Sequence, residues 1–374
     1  MVAGWKLRRE LRRIGDQIAG VAIRPLELAI ARVAVGGNKD KLPEIQLTAT
    51  RDLALFVLFQ PRGLSGTTFD TLEHLASKGF TTVVISNAKL SQADRSRLEG
   101  LAMHVLERRN AGYDFGGYQD AIRALPEMGR GLRSLLLLND SVWFPSVPDA
   151  RLLDEMRAHP ADVVSAQIFG EGARADGKVP ILASYMMLFK QEALSSDAFR
   201  EFWTDYRQSS SKEITLRRGE RGLSKALFAS DLRCGGIYDQ ARLARGLERL
   251  GPVELRRSLA GLVLLDEASQ KERDRLLTAA HSDDWAAATR NFLSGVAQRK
   301  NYIGAAPILG IEALGVEVVK KNNEMLYRLA RQKLARWTSG TATMCPAVLA
   351  EIQARAGKDR IPPALSHANG LDAT

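Results

Sequence analysis

Cysteine is nearly absent from this chain of 374 residues: Cys234 and Cys345 are the only two, too few and too far apart for a disulfide framework or a zinc cluster. A reducing, cytoplasmic setting is the expectation. No run of eighteen uncharged apolar residues occurs, so no segment reads as a membrane-spanning helix. The basic N-terminus lacks an uncharged apolar core and a small-residue cleavage site, which makes it a poor signal peptide. No G-x-G-x-x-G follows the first apolar run and no P-loop occurs, leaving a dinucleotide fold or an ordinary ATPase without support. The five histidines, His74, His104, His159, His281 and His367, show no metal-ligand spacing. Acidic residues are outnumbered, 43 against 53 Lys and Arg, for a net charge of +10 and a pI near 9.7. That balance fits an anionic partner (nucleoside diphosphate, phospholipid or nucleic acid) without choosing among them.

What is present is an ordinary globular composition, 45% apolar and 26% charged, in a chain long enough for one large domain with appendages or for two. From Trp5 to about Val35 the pattern is that of an amphipathic helix, with Leu7, Leu11, Ile14 and Ile18 on one face and Lys6, Arg8, Arg9, Arg12 and Arg13 on the other. It suits either packing on a domain surface or the headgroup layer of an anionic bilayer. Gly36–Lys41 reads as a linker, so residues 1–44 form a basic extension.

Between 45 and 250, apolar runs alternate with helical patterns. Leu53–Phe59, Thr81–Ser86, Met103–Leu106, Asp162–Phe169 and Ile181–Phe189 read as strands, and Thr67–Ser77, Ser91–Leu101, Ala150–Ala158 and Ser196–Arg207 as helices. Such alternation predicts an α/β domain with a mainly parallel sheet flanked by helices. Gly170–Lys178 has the composition of a mobile loop. A helical region follows over 251–356, including a helix from Val316 to Trp337, and the tail 357–374 is expected to be disordered.

The chain is organised around Glu107–Val147. Ser134–Leu138 is a saturated apolar strand that stops at Asn139-Asp140-Ser141, and parallel sheets receive ligands at the carboxyl ends of their strands. An ordinary polar turn is the competing reading of that triplet. Upstream, Asn110, Gly112, Asp114 and Gly117 mark a loop in which glycine permits close backbone approach. Asp114 is suited to sugar or ribose hydroxyls, or to capping the helix that follows. Asn87 at a strand end is a candidate nucleobase contact, and Tyr113, Tyr118 and Trp143 are candidate stacking faces, with core packing the competing role of each. Arg109 and the cluster Arg217, Arg218 and Arg221 offer forked donors for phosphate oxygens.

Arg109–Tyr118, with LLLLNDSVWFP after it, resembles the signature of the rhamnan synthesis F family, glycosyltransferase-like proteins of bacterial surface-polysaccharide assembly. The likeness extends to Val84–Asn87, SYMMLFKQEAL, AFREFW and Glu220–Ser224, covering roughly Leu53 to Tyr238. The resemblance implies a GT-A-like, Rossmann-type sheet with helical N- and C-terminal extensions. It implies a nucleoside-diphosphate sugar donor, with rhamnose or another deoxyhexose as the expected sugar, a glycan or lipid-linked glycan acceptor, and inversion at the anomeric carbon. It assigns Asp140 as metal ligand for Mg or Mn, with Asn139 and Ser141 beside it, and Glu220 as general base. The family's acidic motif has two aspartates where this chain has one, which leaves the divalent cation an open expectation. The expected setting is cytoplasmic, with a peripheral place on the inner face of the cell membrane, and nucleic acid is disfavoured as partner. A non-catalytic nucleotide- or glycan-binding scaffold of the same fold is the alternative.

Overall fold

The computed structural model describes residues 42–47, 51–170, 179–299, 302–337 and 344–371. The basic helix expected over 5–35, its linker and most of the loop expected after Gly170 lie outside the described residues.

Four apolar runs form β1 (Asp52–Leu58), β2 (Thr81–Ser86), β3 (His104–Glu107) and β4 (Ser134–Asn139), which lie parallel in the order β3-β2-β1-β4. In β1, Leu53, Leu55 and Val57 enter one core layer while Ala54, Phe56 and Leu58 enter the layer on the other face. β4 divides likewise, Leu135 and Leu137 against Leu136 and Leu138. Burial on both faces removes any reason to alternate polar with apolar, hence the unbroken apolar runs.

After β5 (Val142–Trp143) the sheet becomes mixed. β6 (Val163–Phe169) pairs antiparallel with β7 (Ile181–Leu182) and β8 (Met186–Lys190) and parallel with β9 (Cys234–Tyr238), while β8 runs antiparallel to β4. Ile181–Phe189, expected as one strand, is therefore two, because Ser184 and Tyr185 form a turn between them. The Ser184 N–H donates to the Glu220 carboxylate instead of to a neighbouring strand.

The helix expected from Val316 begins only at Met325. Gly315, at φ 61°, ends the preceding helix Pro307–Leu314, and Val319–Lys320 forms β10, paired antiparallel with β5. Val316, Val318 and Val319 are all buried, and β-branched residues suit an extended, packed backbone better than a helix. Nor does packing respect a boundary at 250: one core cluster holds Leu58, Leu138 and Tyr185 together with Leu255, Leu309 and Val318. The tail expected to be disordered is ordered as far as Leu371. It forms helix Pro363–Ala368, after which Asn369 exchanges hydrogen bonds with the Leu264 backbone, 2.8 Å from its N–H and 3.0 Å to its carbonyl. Among the described residues no helix is long and apolar enough to cross a membrane.

Candidate active site

The candidate residues gather at the carboxyl ends of β1 and β4. The Asp140 carboxylate accepts the Phe59 N–H at 3.0 Å, and its own N–H donates to Val57 O at 3.1 Å, so the tip of β4 is tied to the end of β1. Asn139 donates through Nδ2 to the Asp114 carboxylate at 2.9 Å and accepts the Ser141 N–H through Oδ1 at 3.1 Å. Asp114 reaches this position from the first turn of helix Tyr113–Ala124. That turn starts at Gly112, whose φ of 73° favours glycine and where an added Cβ would stand 2.9 Å from Gln208. The helix is capped by Gly112, not by Asp114, whose other oxygen accepts the Phe115 N–H.

Glu220 opens helix Glu220–Phe228 and meets this cluster from the other half of the sheet. Its Oε1 accepts from the Ser184 N–H at 2.9 Å and the Ser184 hydroxyl at 3.0 Å. Its Oε2 has no hydrogen-bond donor among the described residues. Ser184 O in turn accepts the Tyr118 hydroxyl at 3.3 Å. Burial pushes the Asp114 carboxyl up to about 6, and the nearby Glu220 charge pushes the same way. Burial likewise drives the Tyr118 hydroxyl well above its ordinary range, with the Asp114 and Asp140 charges adding to it. These interactions bring Asp114, Asp140 and Glu220 into one neighbourhood, and all three residues are half-buried.

Two lysines complete it. The Lys321 N–H donates to Ser141 O at 2.8 Å, and the β5–β10 register sets Lys320 opposite Val142. The Lys320 ammonium stands 3.8 Å from the centre of the Tyr185 ring, and that of Lys321 5.4 Å from the centre of the Trp143 ring. Burial lowers the Lys320 ammonium to about 8 against the opposing pull of Glu220 and Asp114. Lys321 is lowered by burial against Asp140 and Glu351. Sequence reasoning missed both, because they fell inside the expected helix. The signal available was an adjacent lysine pair closing a β-branched run, VEVVKK.

Mg or Mn requires several oxygen ligands, and the described residues supply a poor set. Asp140 is a lone carboxylate already accepting a backbone N–H, Asp114 has each of its oxygens engaged, and each has a lysine ammonium near it, Lys321 by Asp140 and Lys320 by Asp114. Among the described residues no group of three or more His, Cys, Asp or Glu could hold a metal ion.

Several expected contacts have structural roles instead. Asn87 donates to Tyr113 O at 2.9 Å and accepts from Arg108 at 2.7 Å, so its amide is committed to the loop and not to a nucleobase. Arg108 also binds Asp120 and Ala111 O; it is the organising arginine that the sequence reading passed over in favour of the exposed Arg109. Asn110 is exposed beside Arg109. At Gly117 an added Cβ would lie 3.0 Å from the Val57 methyls, which makes close packing its role. Tyr113 is pinned through its hydroxyl to Ser210 O at 3.1 Å. Tyr118 and Trp143 are fully buried and offer no stacking face. Ser141 is exposed at the tip. Arg217 and Arg218 end helix Lys212–Arg218, and neither pairs with Glu220 among the described residues.

The model of rhamnan synthesis protein F matches residues 82–246. An uncharacterised protein of Sinorhizobium fredii is 35% identical over 242 residues, 64% of this chain; the match spans 62% of that relative's length. Among solved structures, a mannosyltransferase from Pyrobaculum calidifontis in complex with GDP-Man and Mn2+ covers 96% of this chain and 94% of its own, at 12% identity and a TM-score of 0.33. Core-mannan synthase A from Aspergillus fumigatus, in a Mn/GDP form, covers 45% of this chain and 67% of its own at 8% identity and 0.27. These two superpositions are too loose to add weight to the site. The motifs from Asn110 to Ser141 and from Ser184 to Ser224 fall inside the matched segment, and across residues 82–246 this chain is a match to the rhamnan synthesis protein F family.

Proposed function

We propose that the chain is a glycosyltransferase that moves a sugar from a nucleoside diphosphate to a growing surface glycan. The observation that carries this reading is Glu220, anchored through Oε1 to Ser184 while Oε2 is left available beside Asp114 and Lys320. Sugar transfer needs an acceptor hydroxyl held in line, a base for its proton and positive charge at the departing diphosphate. Glu220 Oε2 takes the acceptor proton as the acceptor oxygen bonds to the anomeric carbon. The bond from that carbon to the phosphate oxygen breaks, and the nucleoside diphosphate leaves with the electron pair, inverting the centre. Asp114, each of whose oxygens accepts one hydrogen bond and has a further lone pair, accepts from sugar hydroxyls, and Asn139 orients it.

A deoxyhexose such as rhamnose as donor sugar, a lipid-linked acceptor and a place on an anionic membrane surface are finer parts of the same proposal, supported by the family match and the positive charge. The expected magnesium or manganese ion on Asp140 would bring charge to the diphosphate, but the ligand set there is poor, and repeating the transfer in EDTA reads its requirement. The test of the reading is transfer from a panel of nucleotide sugars by Glu220→Gln and Asp140→Ala. Turnover lost with donor binding kept in the first supports it, and full activity in both ends it. The single carboxylate at the β4 tip favours one rival, a scaffold that binds nucleotide or glycan without chemistry. Calorimetric binding with no sugar release by the unaltered protein would establish that rival.

A further inference from the structure

We propose that Lys320 and Lys321 hold the donor's diphosphate, supplying from the chain itself the positive charge that a bound divalent cation would otherwise provide. The inference rests on the nucleotide-sugar reading above and deepens it.

β10 is only two residues long, yet its pairing with β5 carries both lysines to the carboxyl end of the sheet, alongside the residues that follow Asp140. Lys321 is fixed there by its backbone bond to Ser141, and Lys320 by its place over the Tyr185 ring. Tyr185 O accepts the Asn139 N–H, so this ring belongs to the same turn that supports both Asn139 and, through Ser184, Glu220.

Neither ammonium has a hydrogen-bond acceptor or an ion pair among the described residues. Partly buried lysines elsewhere are satisfied: Lys333 donates to Ala260 O at 2.8 Å, and Lys190 to His159 O. The two occupy different surroundings, Lys320 near Glu220 and Asp114 and Lys321 near Asp140 and Glu351, and holding each half out of water without an acceptor is unfavourable unless an anion joins it. The carboxylates nearby explain part of the arrangement but do not touch it. A diphosphate brings two or more negative charges and several acceptor oxygens, and ammonium groups bind phosphate as point charges without demanding a fixed geometry. The same lysines disfavour a divalent ion at Asp140, because its charge would be added to theirs.

The test is calorimetric titration of the full chain with UDP, GDP and dTDP, in EDTA and again with manganese. At least one nucleotide is expected to bind in EDTA, with affinity changed by less than about threefold when manganese is added. Lys320→Gln and Lys321→Gln should each weaken binding on the order of tenfold or more while leaving the unfolding midpoint in place. Lys321→Arg should recover part of the loss, and Lys225→Gln, on an exposed helix surface, should bind as the unaltered protein. Binding that appears only with manganese overturns the lysine proposal and leaves the glycosyltransferase reading standing. Glutamine variants that are folded and bind normally overturn it as well. No binding of any nucleotide, with or without metal, removes both.

Discussion

At their amino ends β1 and β4 border a cavity of about 550 Å³ lined by residues including Asp52, Lys78, Arg133, Arg157 and Lys190; at their carboxyl ends the same strands present Asp140 and Asn139. The amino end has the room, but Asp52, Lys78, Arg133 and Lys190 there already have partners. Asp52 accepts from both forks of Arg133 and from the Ser134 hydroxyl, Lys78 pairs with Asp154 and Lys190 with a backbone carbonyl. Those partners hold the Asp52 carboxyl below its ordinary range although burial opposes them. At the carboxyl end, Asp114 is raised, Lys320 is lowered, and one oxygen of Glu220 stands open. Space alone favours the amino end; incomplete pairing favours the carboxyl end, as expected where groups are kept ready for a ligand.

Breaking this contrast starts with the largest effect. Glu220→Gln should lower transfer by about 10²–10⁴-fold, the usual contribution of a positioned base, and Arg133→Ala at the amino end should leave turnover within about twofold. Equal losses in the two variants would erase the distinction between the ends.

Asp114→Asn sharpens it through pH. The folded chain holds this proton to about 6, above the ordinary 3.8, so the carboxyl's contribution to stability is complete below the ordinary value and lost as pH rises through 6. An amide avoids that loss. Thermal unfolding should show the variant more stable than the unaltered protein at pH 7.5, by at most about 3 kcal/mol, and little different at pH 4. A variant destabilised equally at both values would contradict the assignment.

Asp52→Ala should cost about 1–3 kcal/mol in chemical denaturation, since it removes the acceptor for Ser134 and Arg133, with transfer per folded molecule unchanged. The smallest effect is expected at the exposed Arg109: Arg109→Ala should alter stability by no more than about 0.5 kcal/mol. A large loss of donor affinity in that variant would return Arg109 to the site.

Much of the scaffold could be read from residues because the signals were local. The four leucines of β4 have no polar face to spare, and the chain must stop being a strand at Asn139. Glu220 was legible as an acid at the start of a helix, and Asp114 as an acid in a glycine-rich loop. What escaped depends on partners distant in the chain. β10 is short, its pairing with β5 joins residues about 180 positions apart, and no periodicity within Val316–Trp337 announces it. Arg108 and Arg109 are adjacent and chemically identical, and only the three-dimensional path after β3 turns the first toward Asp120 and leaves the second in water. For Tyr118 and Trp143 the sequence left packing and stacking both open, because an aromatic ring that fills a core and one that faces a ligand have the same composition, and burial decides for packing.

The pairing of β5 with β10 also has a consequence for biosynthesis. A ribosome that has finished every strand of the main sheet has not yet translated Lys320 and Lys321, so the nascent chain contains the leucine strand and its acidic tip without their cationic counterpart. A product truncated after β9 would contain Glu220 and lack the lysines, and only the far longer chain can bring the opposing charges together.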